Sequence, residues 1–91
     1  MMTTLIKTIG GNAAENDFAA ISAADSPALH AEYGRNMANA IMAQRPANMS
    51  EYEFSHRAQD FVQGLIWENF SNSNLVHTFQ ACILELRHYT D

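Results

Sequence analysis

Residues 49–70, MSEYEFSHRAQDFVQGLIWENF, decide the fold because they contain the best-defined helix start in the chain. Ser50 is a typical N-cap residue, and Glu53 follows three positions later, which is the spacing of a capping box. Met49 and Phe54 stand on either side of the cap at the spacing of a hydrophobic staple. These two independent signals predict that a helix begins immediately after Ser50.

Three more helices are predicted on either side of this one. The dipeptide Ser26-Pro27 supplies a cap and a proline suited to the first helical position, and Pro46 ends the helix that follows. The polar residues 71–74 (SNSN) are typical of a loop, and Gly10-Gly11 precedes an alanine-rich stretch that favours helix. The predicted helices cover about residues 13–24, 27–45, 51–70 and 75–89.

These helices predict one all-α domain, residues 1–91, built as a small antiparallel bundle of about four helices. Short loops make consecutive helices antiparallel neighbours. Residues 1–11 are expected to be an extended arm, with one short strand as the alternative for its β-branched part. The apolar stripes expected to face the core are Leu29, Tyr33, Met37, Ala40 and Ile41; Phe54, Ala58, Phe61, Val62 and Leu65; and Leu75, Phe79, Cys82, Ile83 and Leu86.

The composition narrows the class of function. The chain has 91 residues, 47% of them hydrophobic, and ten acidic residues against five Lys and Arg, for a formal net charge of -5. Nucleic-acid-binding proteins usually carry a basic patch, so we expect no direct contact with nucleic acid. No stretch approaches the ~20 apolar residues of a membrane span. The single cysteine cannot form a disulfide within its own chain, which favours a cytoplasmic protein.

One pattern is typical of a metal site. Glu53 and His56 form an E-x-x-H motif, and Glu85 and His88 form a second one on another predicted helix. Di-iron carboxylate proteins use two such motifs facing the interior of a four-helix bundle. At ~100° per residue, both motifs here point well away from the apolar stripes of their helices. A di-metal site is therefore only a third hypothesis, and we expect no cofactor and no catalytic residue; Cys82 is expected to be a buried hydrophobe.

The helix over residues 51–70 has apolar residues outside its core stripe. They are Tyr52, Ile66, Trp67 and Phe70, and they include the only tryptophan of the chain. An ordinary surface helix has one apolar stripe and a polar back. This second apolar face is therefore either covered by the rest of the domain or used to bind another protein.

The leading functional hypothesis is a non-enzymatic protein that binds another protein and also forms a homodimer. Its sharper form is a small acidic inhibitor or regulator of a larger complex, one that handles nucleic acid and offers basic surfaces. Anti-CRISPR proteins of phages and mobile elements are the analogy, in size and charge only. The alternative is a bundle that sequesters a small anionic ligand or nucleotide between protomers, with Arg35, Arg45 or Arg57 converging on it.

Overall fold

The computed structural model describes residues 21–91, and all regular structure within this part of the chain is helical. Residues 21–23 are helical and are called α1. The other elements are α2 (Pro27–Met42), α3 (Glu51–Glu68) and α4 (Ser73–Arg87). The all-α class is therefore confirmed, whereas the predicted arm, 1–11, and most of the first predicted helix, 13–24, lie outside the described residues.

Two helix starts follow directly from their caps. The Ser50 Oγ accepts a hydrogen bond from the Glu53 N–H at 3.1 Å, and the Ser26 Oγ accepts one from the Leu29 N–H at 3.2 Å. Each bond satisfies a backbone N–H that the first helical turn leaves free. The reciprocal half of the expected capping box does not form. The Glu53 carboxylate instead lies 3.5 Å from the Arg57 guanidinium, a charged partner one turn along the helix.

The other boundaries differ from the prediction by two or three residues. α4 begins at Ser73 because the Asn72 Oδ1 accepts a hydrogen bond from the Leu75 N–H at 3.2 Å, so part of the polar tetrapeptide forms the first helical turn. α2 and α3 end at Met42 and Glu68, before the expected positions. After Met42 the chain continues in tighter turns with i→i+3 hydrogen bonds, which are common where helices end.

α4 is the central helix, since it packs against both α2 and α3, whereas α2 and α3 contact each other little. α3 and α4 are antiparallel, as expected: Ser55 near the start of α3 bonds to Leu86 near the end of α4. α2 and α4 are parallel. His30 and His77, near their starts, stack with ring centroids 5.2 Å apart, and Gly34 meets α4 about one turn later. The sequence predicts that α2 packs mainly against α3, the next helix along the chain. This prediction is wrong, because α2 packs mainly against α4.

Small residues explain why α2 packs against α4. A Cβ on Gly34 would lie only 2.6 Å from the Ala81 Cβ and 2.7 Å from the Cys82 backbone nitrogen. Ala38, one turn later on α2, is fully buried. The expected stripe of α2 gave weight to large side chains such as Tyr33, which is only partly buried. The closest approach of two helices here is made by the residues with the smallest side chains.

The interior is a single cluster to which all four helical elements contribute. Residues 21–24 are attached to it by two side-chain hydrogen bonds: the Asn74 Nδ2 donates to the Ser22 carbonyl at 2.8 Å, and the His30 Nε2 lies 2.7 Å from the Ala24 carbonyl. The buried residues of the cluster are Ile21, Ala38, Ile41, Met42, Phe54, Ala58, Val62, Ile66, Leu75, Phe79, Cys82 and Leu86. Among residues 21–91 no helix has the length and apolar character needed to cross a bilayer.

Candidate protein-binding surface

The four residues predicted to form a second apolar face of α3 are not all on the surface. Tyr52, Trp67 and Phe70 are 58%, 69% and 71% exposed. Ile66 is only 7% exposed and belongs to the core, so its assignment to the binding face is corrected. The structure therefore reduces the predicted site to three aromatic side chains.

Ile66 is buried because the core-facing row of α3 contains every fourth residue from Phe54 to Ile66. Ser55 is fully buried beside this row, and its Oγ donates a hydrogen bond to the Leu86 carbonyl of α4. The predicted stripe instead included Leu65, which is half-buried, and left out Ile66. A serine is usually assigned to the outside of a helix, but here a hydrogen bond to α4 satisfies its hydroxyl in the core.

Trp67 and Phe70 form a stacked pair at the carboxyl end of α3, here called the aromatic pair. Their ring centroids are 6.1 Å apart and their planes differ by 13°. Tyr52 is fifteen residues before Trp67, which is roughly 22 Å along the helix axis. Its ring packs instead on the edge of His56, with centroids 4.7 Å apart. The structure thus brings two of the predicted residues together and leaves Tyr52 at the other end of α3.

The aromatic pair is held in place by the turn that joins α3 to α4. The Asn69 Nδ2 donates a hydrogen bond to the Leu65 carbonyl at 2.9 Å and closes the end of α3. The Asn72 N–H donates to the Asn69 carbonyl at 2.9 Å, and the Asn72 side chain caps α4. Phe70 lies between these two asparagines, so its backbone position is determined by both helices. Such preorganisation lowers the entropic cost of using the side chain in binding.

Acidic residues surround the aromatic pair in the sequence. Between residues 58 and 86 there are three acidic residues, Asp60, Glu68 and Glu85, and no Lys or Arg. α3 itself has one basic residue, Arg57, which lies 3.5 Å from the Glu53 carboxylate. Glu85 lies near the end of α4, beside the start of α3, so of these three acidic residues Asp60 and Glu68 lie on the pair's own helix, and both are exposed.

The residues of the metal-like pattern do not assemble. Glu53 is paired with Arg57, and the Glu85 carboxylate lies 3.7 Å from the His88 Nδ1 on its own helix. His56 is exposed and packs on Tyr52. Within residues 21–91 no group of three or more His, Cys, Asp or Glu side chains is arranged to hold a metal ion. The geometry of the described residues gives the di-metal hypothesis no support.

The three arginines of the anion-binding hypothesis lie on different parts of the chain. Arg35 is exposed on α2, Arg45 lies in the turn after it, and Arg57 is on α3. The Arg45 guanidinium donates to the Met49 carbonyl and so closes the turn before α3. Arg57 pairs with Glu53. Two of the three guanidinium groups thus have partners within the protein.

Cys82 lies in the core of α4, as its position on the apolar stripe predicts. Its side chain is completely buried. Burial raises the pKa of the Cys82 thiol from 9.0 to about 12, and the negative charge of Glu85 adds to the increase. A nucleophilic cysteine needs the opposite shift, because the thiolate is the reactive form.

This burial makes the reactivity of Cys82 a test of the core. Because the thiol is completely buried and its pKa is raised, we expect the folded protein to react with a thiol-specific disulfide reagent at pH 8 many times more slowly than the denatured protein. The unfolded chain loses the thiol proton first as the pH rises past 9.0, so the folded state should lose stability from there to about pH 12. A Cys82→Ala variant is the unreactive control. Equal labelling rates with and without denaturant would show that the thiol is accessible.

Comparison of the chain with protein-family models, with curated proteins and with solved structures finds no match.

Proposed function

We propose that this protein acts by binding another protein through the aromatic pair and catalyses no reaction. The observation that carries the proposal is the stacking of Trp67 on Phe70 with 69% and 71% of their surfaces exposed. Aromatic side chains bury on the order of 150–250 Å² each when covered, which at ~25 cal/mol per Å² is worth several kcal/mol. Two such side chains held outward by a structured turn are typical of an interaction surface.

The residue types of the pair support the same proposal. Tryptophan is among the residues that most often contribute the largest share of binding energy at protein interfaces. Trp67 sits on the last turn of a regular helix, and Phe70 is fixed between Asn69 and Asn72. A partner would therefore meet a preformed surface and would not have to order a flexible one.

The more specific proposal is a small acidic inhibitor or regulator of a larger complex, acting in the cytoplasm. A complex that handles nucleic acid carries basic surfaces to hold the phosphate backbone. A chain of net charge -5 with an exposed aromatic pair is suited to such a surface. Anti-CRISPR proteins act on such complexes, and the similarity to them is one of size and charge.

Alanine variants test whether the aromatic pair binds another protein. We expect Trp67→Ala and Phe70→Ala to remain folded by circular dichroism. When immobilised, each variant should fail to capture proteins that the immobilised wild type captures from a host lysate. Leu84→Ala is the matched control, because it also removes an exposed apolar side chain: Leu84 is 59% exposed and lies on α4, outside the aromatic pair. It should retain the full set of captured proteins.

Light scattering of the same samples measures self-association. The homodimer expected from the sequence would have twice the 10.2 kDa mass of the chain. If the captured proteins and the solution mass are the same for wild type, Trp67→Ala and Phe70→Ala, then the aromatic pair is not an interaction surface and the proposal fails.

A further inference from the structure

We infer that the partner presents an arginine side chain to the exposed face of Trp67, with its guanidinium paired to the Glu68 carboxylate. This inference rests on the proposed function and deepens it, because it names the chemistry that the aromatic pair recognises. It commits to a basic protein segment as the occupant of the surface. Three observations on α3 and the following turn support it.

The first observation is the sign of the charge around the pair. Glu68 directly follows Trp67, and Asp60 is exposed two turns earlier on the same side of α3. No Lys or Arg occurs between residues 58 and 86. A cation over an indole ring is attracted by the negative face of the ring, and nearby carboxylates add to that attraction. The surface therefore favours a positively charged ligand and repels a negatively charged one.

The second observation is the position of Glu68 at the carboxyl end of α3. The last turn of this helix contains no basic residue. A helix end of this kind carries a partial negative charge, so a carboxylate there opposes the helix dipole and a cation would be favourable. The negative charge of Glu68 therefore destabilises this end of the helix. An arriving guanidinium would satisfy both the carboxylate and the helix terminus.

The third observation is an open approach to the indole. Side chains on an α-helix lean over the preceding turn, so the residues next to Trp67 on that side are Gln63 and Gly64. Gly64 has no side chain, and a Cβ placed there would meet nothing within 4 Å. Phe70 stacks on Trp67 from the side of the α3–α4 turn. Because Trp67 is 69% exposed, its indole is accessible to a side chain from a partner.

Arginine fits this surface better than lysine does. Its guanidinium is planar and weakly hydrated, so it stacks on an aromatic face while its N–H groups still reach a carboxylate. The ammonium group of lysine is a strongly hydrated point charge. A second copy of this chain fits less well, because a two-fold interface would bring two Glu68 carboxylates together at the same surface.

The test uses Trp67 as its own reporter, since it is the only tryptophan in the chain. Three synthetic helical peptides of identical apolar sequence carry Arg, Lys or Glu at their charged positions, and each is titrated while Trp67 fluorescence is followed. We expect the Arg peptide to bind about tenfold more tightly than the Lys peptide and the Glu peptide not to bind. Relative to their quenching of free tryptophan, caesium ions should quench Trp67 more strongly than iodide ions do.

Two glutamate variants separate recognition from overall charge. Glu68→Gln should weaken binding of the Arg peptide by about fivefold and raise the melting temperature by about 2 °C, because the carboxylate opposes the helix dipole. Glu51→Gln removes the same charge from the other end of α3, roughly 25 Å away, and should leave the affinity within about twofold. Phe70→Ala keeps the charge and should weaken binding through loss of the aromatic pair.

Several results would overturn the inference. Equal affinities for the Arg and Lys peptides, or equal losses in Glu68→Gln and Glu51→Gln, would leave only unspecific attraction between opposite charges. A dimer that Trp67→Ala converts to a monomer would make the occupant a second copy, and the proposed protein-binding function would stand. If capture from a lysate depends on Trp67 but the Arg peptide does not bind, the inference about arginine fails and the proposed protein-binding function stands. If neither capture nor mass depends on Trp67, the proposed function fails as well.

Discussion

Replacing Gly34 with alanine is expected to destabilise the folded protein by about 2–3 kcal/mol, although alanine is the better helix former. The added Cβ would lie 2.6 Å from the Ala81 Cβ and 2.7 Å from the Cys82 backbone nitrogen. A backbone atom cannot rotate away, so α2 and α4 must separate and their contacts must loosen. For a domain of this size the melting temperature should fall by roughly 10–20 °C.

Gly64 provides the matched control for this substitution. It is exposed on α3, and an added Cβ would meet nothing within 4 Å. Gly64→Ala should therefore stabilise the protein by about 0.5–1 kcal/mol, through helix propensity alone. Urea denaturation of the two variants should give changes of opposite sign in the free energy of unfolding. A Gly34→Ala variant that is as stable as the wild type, or more stable, would show that α2 and α4 are not in close contact at Gly34.

Replacing Phe79 with alanine should cost about 3–5 kcal/mol, the usual range for a phenylalanine removed from a packed core. Phe79 is completely buried on the central helix α4. A domain of this length is stable by only about 5–14 kcal/mol, so this single change should remove a large part of its stability. The free energy of unfolding is measured by urea denaturation, and a circular dichroism spectrum without urea shows whether the variant is folded.

Phe70→Ala is the same chemical change at an exposed position, 71% exposed in the aromatic pair. It should alter the free energy of unfolding by no more than about 0.5 kcal/mol. The comparison of the two variants separates the core of the protein from its proposed binding surface. If Phe70→Ala is as costly as Phe79→Ala, then Phe70 is part of the folded core and the proposed function loses its main support.

The candidate surface could be predicted in part from the sequence. The helical spacing places Trp67 and Phe70 outside the expected core stripe, and the structure leaves both exposed. The prediction that Ile66 shares this face is wrong. Ile66 lies one residue before Trp67, and the buried stripe of α3 includes Ile66 in place of Leu65. Tyr52 is exposed but far from the pair, since fifteen residues of helix separate it from Trp67.

The sequence by itself determined the class of the fold and the start of most of its helices. Ser26 and Ser50 each bond to a backbone N–H three residues ahead, so the information for these helix starts lies within one turn of chain. Asn72 caps α4 in the same way, but the prediction placed it in a loop and began this helix two residues too late. The burial of Cys82 also followed from local spacing along α4. Such features depend on neighbours in sequence, and a pattern of residue types is sufficient to find them.

Only the tertiary structure decided which helix is central and which side of α3 faces inward. The inward side of α3 includes Ser55, whose Oγ donates a hydrogen bond to the Leu86 carbonyl, 31 positions away. The place of α4 depends on the fit of Gly34 against Ala81, where the absence of a side chain brings two helices together. Neither contact has a local signature, because hydrophobic periodicity identifies large side chains and says nothing about the distant surface against which a small one packs.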